Sequence, residues 1–187
     1  IEQRRALLRQ RFPDAQWRVQ PGAPLKDGRP TTEVVVSGSR QEGPIRFQLE
    51  ARQQLVLSGS GSRFNRQEVI RESSILRSGD ADLKVSLLIP DAVLTGQRYD
   101  LDVVFDDPLE GAVVAGAIKP VSAAELLRLQ TPDMPLEALG GGGLFKSVQA
   151  PYQPGLQTWG VLLVHPKGVV AASKQVRVVA DRAALQL

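Results

Sequence analysis

Between Leu83 and Val179 apolar residues return at every second position, stretch after stretch, and this period of two constrains the fold more than any other property of the chain. Leu83, Val85, Leu87 and Ile89 alternate up to Pro90. Tyr99, Leu101, Val103 and Phe105 alternate up to Asp106-Asp107-Pro108, and Trp159, Val161 and Leu163 alternate ahead of His165-Pro166-Lys167-Gly168. A β-strand points successive side chains to opposite faces, so each run predicts a strand with one face in a core. Further strands are expected over Ala112–Lys119, Leu144–Ala150 and Val169–Val179, with turn signals recurring about every ten residues. Together they predict an antiparallel sandwich over residues 80–180. Leu83, Val85, Tyr99, Leu101, Val103, Trp159, Val161 and Leu163 are expected inside it. One helix interrupts the pattern: Ser122-Ala-Ala-Glu125 reads as a capping box, opening a short segment with Leu126, Leu127 and Leu129 that Pro132 ends.

The first 78 residues read differently. Glu2–Phe12 has a helical period, with Leu7, Leu8 and Phe12 on one face, and Pro13 stops it. Ala15–Gln20 and Thr31–Ser37 are strand candidates on either side of the Pro- and Gly-rich loop Pro21–Pro30. After a turn at Gln41–Pro44, Ile45, Phe47, Leu49 and Ala51 alternate with Arg46, Gln48 and Glu50, and Leu55–Leu57 continues or pairs with that strand. Ser58–Ser62 (SGSGS) suits a flexible linker or the tip of a long hairpin. Gln67–Leu76 fits either a strand or a short helix. Ser78-Gly79-Asp80 marks a boundary, so two domains are expected: a helix plus antiparallel β-meander over 1–78 and a sandwich over 79–187. A core is readily supplied by a chain with 42% apolar and 23% charged residues.

Charge divides along the same line. Residues 1–80 carry 14 Lys and Arg against 9 Asp and Glu, whereas residues 81–187 carry 9 against 11. A basic half can meet anionic partners. Its arginines, however, alternate with glutamine and glutamate and have no aromatics among them, so no nucleic-acid platform is expected. No apolar run reaches the roughly 18 residues of a membrane-spanning helix, and Ile1–Gln10 is charged and amphipathic, unlike a signal peptide. The chain holds no cysteine, which removes disulfides, thiolate metal sites and cysteine nucleophiles together. With 17 Arg to 6 Lys and a single asparagine, Asn65, the composition matches a GC-rich bacterial genome.

The segment LFKSVQAPYQPGLQTWGVLLVHPKGVVAASKQVRVV, residues 144–179, resembles the closing half of bacterial immunoglobulin-like and fibronectin-type domains. The resemblance lies in Ala150-Pro151 ending a strand, Pro154-Gly155, and a hairpin of two long strands over Thr158–Val179. It covers about 35 residues closely and about 100 loosely. Trp159 stands where such domains often have tyrosine, and the helix near Ser122–Leu129 is an insertion. What the resemblance implies is an immunoglobulin-like β-sandwich serving as a spacer, adhesion or binding module, with little chemistry of its own.

No constellation in the chain suits catalysis. The one histidine, His165, sits at a turn before proline and lacks ligands or a nucleophile beside it in sequence. Asp100, Asp102, Asp106, Asp107 and Glu110 form the densest acidic group, but without the spacing of a calcium loop, and they read as a solvated strand face. Gly59-Ser-Gly61 and Gly140–Gly143 lack the rest of a nucleotide- or phosphate-binding fingerprint. Hence no catalytic residue, metal or cofactor is expected. The expected function is a non-enzymatic protein-binding or spacer module of the bacterial envelope or periplasm. Arg46, Arg52 and the loop residue Tyr152 are its candidate partner surface. The alternative is a small-ligand-binding or weakly catalytic α+β unit with an apolar pocket in residues 1–78 lined by Trp17, Val35 and Phe47.

Overall fold

A computed structural model describes residues 2–60, 63–79, 83–122, 124–125 and 133–185. It is mainly β. Helix α1 (Glu2–Arg11) precedes four strands of increasing length, β1 (Gln16–Gly22), β2 (Thr31–Glu42), β3 (Ile45–Ser60) and β4 (Arg63–Gly79). Then come β5 (Val85–Leu88), β6 (Ala92–Leu94), β7 (Arg98–Phe105), β8 (Ala115–Val121), β9 (Glu137–Ala138), β10 (Gly143–Gln149), β11 (Gly155–His165), β12 (Gly168–Val179) and a final turn of helix, α2 (Arg182–Leu185). Gln67–Leu76, open between helix and strand, is strand. Ser58–Ser60 belongs to β3, so SGSGS starts a hairpin tip rather than a linker. The strand expected from Ala112 begins at Ala115, and β6 and β9 carry too few residues to show a period of their own. Ser122 and Glu125 form the capping box: the Ser122 amide donates to Glu125 Oε2 at 2.8 Å, and the Glu125 amide donates to Ser122 Oγ at 3.2 Å. Leu126, Leu127 and Leu129 lie outside the described residues.

The strands form two sheets. The small one has the order β10-β7-β5; the large one, of nine strands, runs β1-β2-β3-β4-β12-β11-β8-β9, with β6 also beside β12. All pairs are antiparallel except β6 with β12. Residues of both sheets meet in one core. Val85, Tyr99, Leu101 and Val103 of the small sheet bury against Ile118, Trp159, Val161, Leu163, Val170 and Val176 of the large one, with Leu83 packed at the margin. These are the alternating sets, and their burial is the main source of stability, about 25 cal/mol for each Å² of apolar surface removed from water.

The meander and the sandwich are joined within the large sheet. Residues 73–79 of β4 pair with 168–174 of β12, so one ladder runs unbroken from β1 to β9. Further along, β12 exchanges this neighbour for β6, which pairs with Arg177–Val179. Charged groups fill the exchange point. Asp91 takes Arg71 at 2.8 Å and Lys174 as partners, and the buried Arg177 donates from Nε to the Ile70 carbonyl at 3.1 Å. Burial pushes the Arg177 guanidinium below its ordinary pKa, and the charges of Glu68 and Asp91 oppose that shift.

Where β4 and β12 start to pair, two glycines touch backbone to backbone. Gly79 has φ +119°, and a Cβ there would lie 2.6 Å from the Lys167 carbonyl oxygen; a Cβ on Gly168 would lie 2.2 Å from the Ser78 carbonyl oxygen. Neither obstacle is a flexible side chain. Gly168→Ala is therefore expected to cost about 1–3 kcal/mol of stability, lowering the melting temperature by roughly 2–4 °C per kcal/mol in a chain of this size. Gly155→Ala, with no atom within 4 Å of its Cβ, should melt like the parent. Equal melting of the two variants in calorimetry would show that the strands separate here at no cost.

Candidate functional site

In an antiparallel ladder, directly paired residues share a face. One row across the large sheet reads Val161, Ala172, Ile75, Glu50, Ser37, Gln16; its neighbours read Trp159, Lys174, Ser73, Arg52, Val35, Arg18 and Leu163, Val170, Arg77, Gln48, Ser39. Each row begins in the buried core and ends on a polar surface. The small sheet covers only the first part of this face, so beyond it the meander lies open as a groove of about 620 Å³. Lys84 lines it on the sandwich side, where Arg77 Nε donates to the carbonyl of the preceding Leu83 at 2.9 Å.

The charges of the groove are unevenly committed. Asp14 accepts from the Ser39 amide at 2.8 Å and from the Ser39 hydroxyl at 2.7 Å. The hydroxyl bond first, then the amide bond, hold its carboxyl below the usual carboxylate range, with Arg46 adding a weaker pull. Glu50 is taken by Arg52, whose Nη2 lies 2.8 Å from Glu50 Oε1. Arg18 and Lys84 also line the groove, and neither has an ion pair among the described residues. The carboxylates are thus satisfied internally, while cationic donors remain for something outside.

The opposite face of the meander is apolar near β1, at Trp17, Val19, Val34 and Val36, and turns polar at Gln53 and Glu72. Trp17, Val36 and Ala51 form one row on it and Phe47 another, and Phe12 at the end of α1 packs over Gly38. The Arg40 guanidinium lies between two rings there, 5.4 Å from the centre of Phe12 and 4.6 Å from that of Phe47, and pairs with Glu42 at 2.8 Å. Such stacking on aromatic faces suits guanidinium better than ammonium. Trp17 and Phe47 therefore point away from Val35, which is in the groove, and the three do not line one apolar pocket.

Of the expected surface residues, Arg46 and Arg52 share the groove face of β3, Arg46 near Asp14 and Arg52 in the groove lining. Tyr152 does not join them. It is 79% exposed, lies against Gly96, and accepts from Gln149 Nε2 at 3.0 Å through its hydroxyl. Thr95, next to Gly96, bonds to Val179, whereas the groove residue Arg77 pairs with Val170; Tyr152 and the groove thus sit towards opposite ends of β12. His165 accepts from the Lys167 amide at 3.1 Å, closing its turn, and its ring meets Phe105. Among the described residues no three histidines or carboxylates gather as metal ligands. Asp14, Arg18, Arg77 and Lys84 were not singled out by sequence reasoning. Their signal was weak: Arg18 alternates with Trp17 and Val19, but nothing local says that its face continues a distant core.

The fold is that of a mainly antiparallel β protein whose larger sheet outruns the smaller one. The chain belongs to the family described as a domain of unknown function, DUF8623, whose family profile matches residues 80–179, from just after β4 to the last residue of β12. A search of the curated proteins finds no match. No helix among the described residues is long and apolar enough to cross a membrane.

Proposed function

We propose that the chain is a non-enzymatic protein-binding module of a bacterial envelope or periplasm. In this reading an immunoglobulin-like sandwich over 79–187 is the rigid support, and the helix-plus-meander unit over 1–78 presents the contact surface. The observation that carries the proposal is the change of character along one face of a continuous sheet, from a packed core at Val161 and Leu163 to an open cationic groove at Arg18, Arg52 and Lys84. An open polar face on a rigid support is suited to recognition. Its carboxylates are tied to Ser39 and Arg52, so it offers binding contacts rather than a poised acid or base. Arg46 extends the surface along β3; Tyr152 would belong to a separate contact.

The test is retention of envelope proteins, from a bacterium that carries the chain, on the immobilised protein and on its Arg18→Glu/Lys84→Glu variant. Both residues are exposed, so the variant should melt like the parent. At least one protein should be retained by the parent and lost by the variant. Identical retention by the two would overturn the groove as the contact surface.

A further inference from the structure

The groove opens at the edge of the sheet, and that edge is unpaired. Among the described residues β1 pairs with β2 alone, and Gln16–Pro21 are all exposed. An edge strand presents a row of free backbone donors and acceptors, a template for another strand. This strand is also two-sided: Arg18 faces the groove, whereas Trp17 and Val19, 41% and 66% exposed, face the apolar side. We propose that β1 takes an extended acidic segment of a partner protein as a tenth strand of the large sheet. The inference rests on the reading of the groove as a contact surface.

The alternation of a strand dictates the segment's composition. Residues placed beside Gln16, Arg18 and Gln20 project on the groove side, where Arg18 has no ion pair among the described residues; a carboxylate there meets an uncommitted cation. Residues placed beside Trp17 and Val19 project to the apolar face, where β-branched side chains bury exposed surface. Pro21 has no amide hydrogen, so the ladder is confined to Gln16–Gln20. The recognised pattern is therefore a short run alternating acidic and apolar residues. A phosphate-rich or nucleic-acid ligand fits less well, because it brings no backbone to pair with β1 and the groove lining holds no aromatic residue to stack a base.

The probe is the capped peptide Glu-Val-Glu-Val-Glu-Val-Glu, titrated into the full chain. A peptide of the same composition in blocks and inorganic polyphosphate serve as controls. The alternating peptide should bind, slowing hydrogen exchange of the β1 amides by at least about ten-fold, and should outcompete both controls. Val19→Lys on one face and Arg18→Glu on the other should each weaken it about ten-fold. Polyphosphate or the blocked peptide binding as well as the alternating one, with Val19→Lys without effect, would mean a diffuse anion surface and overturn the proposal. Unchanged β1 exchange would overturn it too, as would self-association of the chain through β1 that leaves the peptide unbound. If the peptide fails while Arg18→Glu/Lys84→Glu still loses a captured envelope protein, strand addition falls and the groove reading survives.

Discussion

A fragment of residues 79–187 is expected to melt cooperatively by itself, and a fragment of residues 1–78 to show no cooperative melt. Among the described residues every buried member of the main core cluster lies between Val85 and Val178, and the meander contributes only Ile75, at the margin. Removing β4 leaves seven residues of β12 without a neighbour on one side. At about 1 kcal/mol net per hydrogen bond, the loss is a few kcal/mol, out of about 5–15 for a typical protein. The first fragment has no comparable reserve. Among the described residues its one buried cluster is Leu25, Val56 and Ile70, and hairpins without a covered face are marginal in water. Circular dichroism melts of the two fragments and the full chain decide the matter. An unfolded 79–187 fragment beside a stable full chain would make β4 an essential part of the sandwich, and the chain a single unit.

Trp159→Ala is expected to be among the most destabilising substitutions, at about 3–5 kcal/mol, because the indole is buried in the core and anchors a polar chain within it. Its Nε1–H donates to the Tyr99 hydroxyl at 2.9 Å, and that hydroxyl donates to Gln157 Oε1 at 2.7 Å. Tyr99→Phe keeps the ring but strands the indole N–H, for about 1–3 kcal/mol. The two effects should not add, since one hydrogen bond is lost in both. A titration separates the roles further. Burial raises the Tyr99 pKa, with the bond from Trp159 acting against it. A raised folded-state value means stability that is complete below the unfolded tyrosine pKa, near 10, and is lost as pH rises through the folded one. The melting temperature should thus fall at alkaline pH, and this component should vanish in Tyr99→Phe. An identical alkaline slope in parent and variant would count against it.

How far the sequence was legible follows from how local each signal is. Leu101, Val103, Val161 and Leu163 declare their strand and its inner face through a two-residue period, and they are the core. Gln67–Leu76 was harder: it mixes Gln, Glu, Arg and Ser with scattered apolar residues, because a sheet covered on few faces imposes no strict alternation. The pairing of β4 with β12 had no local signal at all. Ser78-Gly79-Asp80 reads as punctuation, and the glycine is there for another strand's backbone to approach, not only to turn the chain. The groove was half legible. Arg46 and Arg52 were visible as the outward side of an alternating strand, but Arg18 joins them only through pairings across three strands, and Lys84 only through a wall built by the next segment.

The position of β12 between β4 and β11 also orders events during synthesis. Ser74 of β4 bonds through its hydroxyl to Ser173 of β12, its partner 99 residues later in the chain. Until those residues leave the ribosome, the inner margin of a 17-residue strand has nothing to join. The meander must then wait with two open edges, exposed to wrong partners for as long as translation of the intervening hundred residues takes, on the order of 5–20 s at about 5–20 residues per second. The sandwich, in turn, closes late, because its central strand arrives after all the others. A nascent chain of this kind profits from charged and serine-rich sequence along β4, which discourages wrong pairing, and that is the composition β4 has.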